Sequence, residues 1–265
     1  MLLENEVLIR LTAFASVFAL MALLETLLPR RGLRFNRLLR WPANLGITLL
    51  NTVIVRLVFP LAAVEFALRR EAEGVGLLNT AGIAMPLTIC IAIVLLDLAI
   101  YTQHVVFHHV PLLWRLHRMH HTDNDIDVTT GARFHPVEIL LSMLIKFAII
   151  ATIGIPATAV LLFELILSSS ALFNHANFAL PATADRLLRL LIVTPDMHRV
   201  HHSVVVTETN SNYGFNLSIW DRLFGTYVAQ PERGHTSMTI GQPTTQTSDA
   251  QRIGTMLAQP FKHDQ

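Results

Sequence analysis

The run DLAIYTQHVVFHHVPLLWRLHRMHH, residues 97–121, begins as a membrane-spanning helix and ends as a cluster of histidines. It carries His104, His108, His109, His117, His120 and His121. The i, i+3, i+4 spacing of the last three turns three imidazoles to one helical face. The same box returns far downstream as HRVHH, with His198, His201 and His202. Neutral imidazole ligates zinc, iron and copper. The two boxes, together with His104 and His108, offer eight nitrogens, enough for two ions with open positions. A single buried histidine is usually a satisfied core residue. Three boxes recurring at one expected membrane face point to metal instead.

Outward from this run the chain is apolar. Of its 265 residues, 52% are hydrophobic and only 15% charged, and the mean hydropathy of +0.48 exceeds that of an ordinary soluble domain. Several runs reach the roughly 20 residues that cross a bilayer. Residues 7–28 form the first expected span, without a small-residue cleavage site, so it reads as retained. Arg30, Arg31, Arg34, Arg37 and Arg40 follow it. Positive loops beside spans stay cytoplasmic, which places the N-terminus outside. Residues 44–68, containing Arg56 and Pro60, travel outward, and residues 81–107 return, delivering His104 and His108 to the cytoplasmic face. Pro111 marks a helix break before His117–His121. Residues 137–174 are too long for one span, and Gly154-Ile155-Pro156 divides them into a hairpin that brings the chain back to the histidine side. A net charge of +1 gives no basis for nucleic-acid binding, and the one cysteine, Cys90, excludes a disulfide framework and a cysteine zinc site.

His175, in FNHAN, ends the hairpin at the same face and is the expected ninth ligand. His109 lies about 100° round the helix from His108 and faces away. His135, in RFHPVE, is open between ligand, supporting residue and helix-entry residue. His235 and His263 fall in a polar stretch from Gln230 onward without helical period, expected to be a partly ordered tail with solvated histidines. Residues 185–193 are apolar on one side and read equally as an interfacial segment or a core helix of the cap. Four charges lie within spans, where they are costly and need partners. Lys146 and Glu164 sit nine residues either side of Ile155, so an antiparallel hairpin puts them at one depth. Asp97 and Arg56 are expected at similar depth, completing a compensated cluster.

The motifs together resemble a known family. They run D-x3-Y-x2-H-x3-H from Asp97 through Tyr101 to His108, P-x-L-W-R-x-H-x2-HH from Pro111 to His121, then FHP at Phe134–Pro136. NHxN at Asn174–Asn177, HRxHHS at His198–Ser203, NYG at Asn212–Gly214 and WDRLFGTY at Trp220–Tyr227 complete the set. Over residues 90–228 this is similar to the fatty acid hydroxylase/sterol desaturase superfamily of integral-membrane di-iron enzymes. One departure is that Thr102 and Val105 stand where many members carry Trp and Arg. The resemblance implies two iron ions, for which zinc can substitute in purified protein, and O2-dependent hydroxylation or desaturation of a membrane lipid. The chain has no dinucleotide fingerprint, iron–sulfur cysteines or haem domain of its own, so a separate electron donor such as a reductase, ferredoxin or cytochrome is implied. The implied metal ligands are His104, His108, His117, His120, His121, His175, His198, His201 and His202. Asp97 and Asp196 are expected to accept imidazole N–H groups; Asp196, Asn212 and Tyr213 are the candidates to serve the reaction, with Asn212 and Tyr213 reading equally as loop-forming residues. Two other readings stay open. A zinc-dependent membrane hydrolase would need an acid or base such as Asp196 beside metal-bound water. A divalent-metal transporter would spread its ligands along the spans.

The expected fold is all-α, a multi-span helical membrane protein of four or five spans with a cytoplasmic, histidine-lined di-metal cap. Its divisions are N-terminal spans at 1–80, a catalytic domain at 81–228 and a polar tail at 229–265, and the expected setting is a bacterial inner membrane.

Overall fold

A backbone in hydrocarbon must satisfy its own hydrogen bonds, and each apolar run accordingly folds into helix. The computed structural model describes residues 3–59 and 61–262. Five helical segments are long and apolar enough to cross a membrane: Glu6–Leu27, Arg37–Thr80, Met85–His109, Pro136–Gly154 and Ala157–His175. Their regular helices are α1 (Glu6–Leu27), α2 (Arg37–Val58), α3 (Met85–His109), α5 (Pro136–Ile149) and α6 (Ala157–His175). Between α3 and α5 lies α4 (Pro111–His121), and α7 (Pro195–His201) follows α6. The described residues contain no β-strand, only three isolated bridges. Pro60 and His263 fall outside the described residues.

The hairpin of α5 and α6 turns where Gly154-Ile155-Pro156 places it. Gly154 has φ +74°, and a Cβ on it would lie 2.9 Å from the Gly76 Cα, so a bare backbone is required twice over. Each arm of the hairpin has 19 residues, about 28 Å of helix, close to the hydrocarbon thickness. Pro111 breaks the chain as its fixed φ dictates: α3 ends at His109 and α4 restarts with proline in its first turn.

The histidine-side ends of the spans meet in one cap. The end of α1 joins the end of α6 through Ala179 N–H donating to Leu28 O at 2.8 Å. Residues 122–133, between α4 and α5, are buried under a polar network. Arg40 is fully buried, donating from Nε to Asp123 at 2.7 Å and from Nη1 to Asp127 at 2.5 Å. Arg133, also fully buried, reaches Met119 O, Thr122 Oγ1, Asn44 Oδ1, Gln251 Oε1 and Ala250 O. The arginines after α1, a topology signal in the sequence, therefore also clamp the cap. Arg30 grips Asp196 through two nitrogens at 2.9–3.1 Å, and Arg31 donates to Met238 O at 2.9 Å.

Two expectations are corrected and one open reading is decided. The stretch after Gln230 is not a loose tail: Gln251 is fully buried against Arg133, Thr122 O and Asn124, and His235 is only 4% exposed. Of the two readings of residues 185–193 the exposure favours the interfacial one, because Leu187, Leu190 and Leu191 face outward while Asp185 and Arg189 pair inside. The four-charge cluster does not form as drawn. Lys146 does pair with Glu164, but the further partner is Arg10 of α1, at 2.5 Å from Glu164. Asp97 instead faces the segment after α7, accepting from Trp220 Nε1 at 2.8 Å, Asn216 Nδ2 at 2.7 Å and Leu217 N–H at 3.2 Å. Arg56 is exposed and makes no ion pair among the described residues.

Candidate metal centre

Helix ends aim the histidines. The last turns of α3 supply His104 and His108, α4 supplies His117, His120 and His121, and the end of α6 supplies His175. Thr194 caps α7 by accepting from Met197 N–H, and that helix delivers His198, His201 and the adjoining His202. Nine imidazoles thereby gather into two buried groups. One comprises His104, His108, His117, His121 and His201, the other His120, His175, His198 and His202, and within each group one nitrogen per ring lies within 4.8 Å of the others. His109 stands apart, its Nδ1 on Val105 O at 2.9 Å. His135 also lies outside both groups and acts at the helix entry, its Nδ1 accepting from Val137 N–H at 3.2 Å.

Protons decide what these groups can hold. A carbonyl oxygen only accepts, so a ring whose Nδ1 meets one carries its proton there and leaves Nε2 as a bare lone pair. His104 donates to Tyr213 O at 2.7 Å, His120 to Arg133 O at 3.1 Å, His175 to Ala171 O at 2.7 Å and His201 to Ser211 O at 2.7 Å. His117 donates to the Glu138 carboxylate at 2.7 Å. Their bare nitrogens nevertheless face one another. His104 Nε2 is 3.1 Å from His117 Nε2, and His175 Nε2 is 3.1 Å from His120 Nε2. Two lone pairs at that distance repel unless a cation lies between them. The spacing matches neighbouring ligands on one first-row ion, each about 2.1 Å from it. Further buried nitrogens find no hydrogen-bond partner among the described residues, including Nε2 of His108 and His201 and both nitrogens of His121. Burial, reinforced by neighbouring imidazoles, holds His120, His121, His198 and His202 well below the usual imidazole range and takes His201 down to about 3. All five are therefore neutral near pH 7, the form that binds metal. The residues present fit a pair of metal ions.

Backbone carbonyls and Glu138 orient the rings, so Asp97 and Asp196 do not accept imidazole N–H groups. Asp196 is held by Arg30 and Arg199, with His235 at 3.6 Å, and those cations keep its carboxyl below the usual range against the opposing effect of burial. Asn212 is a loop anchor in the left-handed region, φ +49°, donating to Met197 O and Val228 O and accepting from Val228 N–H. Tyr213 is nearer the centre. It is fully buried, its carbonyl holds His104, and its ring centroid lies 5.1–5.6 Å from those of His104, His108 and His201. Glu138 and Gly131 were not among the expected site residues. Glu138 follows FHP in the first turn of α5, a position the motif could have flagged. A Cβ on Gly131 would lie 2.4 Å from Ala171 O, the acceptor of His175.

A cavity of about 700 Å³ opens from this centre. His104, His117 and Glu138 line one end, and the walls are largely apolar side chains of α1, α2, α5 and α6. That volume lies within the range of small-molecule sites.

A family model described as fatty acid hydroxylase matches residues 89–226. Among curated proteins, ornithine lipid hydroxylase OlsE of Rhizobium tropici is 31% identical over 177 residues, covering 67% of this chain and 51% of that protein. Human alkylglycerol monooxygenase is 28% identical over 142 residues, 52% of this chain and 30% of its own length. Rat cholesterol 25-hydroxylase is 25% identical over 195 residues, 71% of this chain and 61% of its own. The chain thus spans about half, or less, of the first relatives' lengths. No solved structure matches it.

Proposed function

The chain belongs to the fatty acid hydroxylase family, and on that premise we propose that it is a membrane-bound di-iron oxygenase acting on a C–H bond of a lipid. The observation that carries this reading is the pair of buried histidine groups, in each of which bare Nε2 lone pairs converge. His104, His108, His117, His121 and His201 would hold one iron, and His120, His175, His198 and His202 the other. Such a centre supplies O2 activation with two electrons from outside, hydroxylating a C–H bond or removing two hydrogens as water forms. A reductase, ferredoxin or cytochrome would deliver those electrons.

The chain's own residues prepare the centre. Five Nδ1–H donors fix ring orientation, and the Glu138 carboxylate raises the basicity of His117. Tyr213 packs beside three ligands, and its buried hydroxyl, without a partner among the described residues, is available to a substrate or proton. The cavity lets an acyl chain or sterol reach the histidines from the spans. The zinc-hydrolase alternative loses Asp196 as its acid or base, since Arg30 and Arg199 occupy it. The basic residues 30–40 favour a cytoplasmic cap. Lipid extracts incubated with the protein, an electron donor and ¹⁸O2 should gain one ¹⁸O per modified lipid. The label should vanish in His120→Ala, whereas no label and no new double bond with the iron-loaded protein would refute the reading.

A further inference from the structure

The cavity that starts at His104 and His117 ends among charges that metal chemistry does not need. Arg10, Arg56, Lys146, Glu6 and Glu164 line it as well. Two carboxylates there face three cations. Glu164 is shared by Lys146 and by Arg10 at 2.5 Å, and Arg10 also reaches Glu6 at 3.5 Å. Arg56 is the cation left over, with no ion pair among the described residues. The carboxylate at the other end, Glu138, is engaged by His117. An acyl-sized, mostly apolar cavity therefore carries a net positive charge in its lining besides the histidines.

Helix geometry gives the separation. Lys146 lies eight residues beyond Glu138 on α5, about 12 Å, and Glu164 lies eleven residues before His175 on α6, about 16 Å. A group held at this layer cannot itself reach the histidines, but a chain attached to it can.

We propose that Arg56 recognises the anionic head, a carboxylate or a phosphate monoester, of a lipid whose chain runs along the cavity toward the histidine groups. The Arg10–Glu164–Lys146 network forms the polar wall beside it, and guanidinium suits both anions through paired donors. The inference rests on the lipid-oxygenase reading and deepens it. It makes Arg56 a specificity residue, with oxidation remote from the charged head.

Binding without turnover separates the two. The metal-loaded full-length protein in detergent is titrated anaerobically with radiolabelled hexadecanoic acid, hexadecyl phosphate and hexadecanol, in wild type, Arg56→Gln and Arg56→Lys. The expected result is a loss of about tenfold or more for one or both anions in Arg56→Gln. Hexadecanol binding should stay unchanged, and Arg56→Lys, which keeps the charge but not the paired donors, should recover the anion in part. Whether acid or phosphate suffers more identifies the head. Unchanged anion binding in Arg56→Gln, an equal loss for all three ligands, or no binding of any anion to wild type overturns the proposal. None of these results depends on O2 chemistry, so a failed hydroxylation assay with intact anion selectivity would indict the oxygenase reading alone.

Discussion

Replacing Glu138 with leucine should loosen one histidine group and spare the other. The Glu138 carboxylate is 4% exposed and accepts the His117 Nδ1–H at 2.7 Å. Without it, the N–H is buried with no acceptor, which costs about 1–3 kcal/mol. At about 1.4 kcal/mol per decade, that weakens metal binding roughly 5- to 150-fold, in line with the usual 10- to 100-fold effect of losing a ligand's supporting partner. His120, His175, His198 and His202 keep their own carbonyl and ring contacts. Titrating the iron-loaded variant with a chelator should therefore release one ion early and the second at the wild-type concentration. Glu138→Gln should fall between, because the amide oxygen still accepts while the charge is gone. Release of both ions together, or an unshifted curve in Glu138→Leu, would show that Glu138 does not hold His117 for metal.

Other outcomes follow from single contacts. Glu164→Gln should destabilise more than Lys146→Met. The first strips a carboxylate from both Arg10 and Lys146, at about 2–4 kcal/mol after allowing for partial exposure, while the second leaves Arg10–Glu164 intact at about 1 kcal/mol. Equal melting shifts in detergent would contradict the shared pair. Gly131→Ala drives a methyl to 2.4 Å from Ala171 O and should cost about 1–3 kcal/mol while releasing metal from the group containing His175; a variant with full metal content and wild-type melting would refute that packing. Chelated protein should lose stability as pH falls below about 6.5 toward 3. His201, held neutral down to about 3 by burial, binds a proton near 6.5 only when unfolded, so acid favours unfolding. A melting temperature that stays flat from pH 7 to 4.5 would argue against it.

The spans and the nine gathered histidines were legible because each leaves a mark in the chain: apolar length for one, i, i+3, i+4 spacing for the other. What orients the rings was not. The acceptors on His104, His120, His175 and His201 are backbone carbonyls, which every residue type carries, so Asp97 and Asp196 drew attention that belongs to Tyr213, Arg133, Ala171 and Ser211. The Lys146–Glu164 pair followed from counting out from Ile155, but Arg10 entered because α1 packs on α6, and helix rotation leaves no trace in an apolar sequence. Residues after Gln230 looked loose because they lack a period, yet Gln251 is buried through long-range bonds to Arg133 and Thr122.

Metal content tests the central claim most directly. The protein should be purified in detergent after expression with iron supplied and other metals controlled, then analysed for elements in wild type and in His120→Ala/His201→Ala, which removes one ligand from each group. The account predicts about two irons per chain in wild type and a loss of both in the variant. A folded wild-type protein that carries no metal, or a variant that keeps two irons, would contradict it.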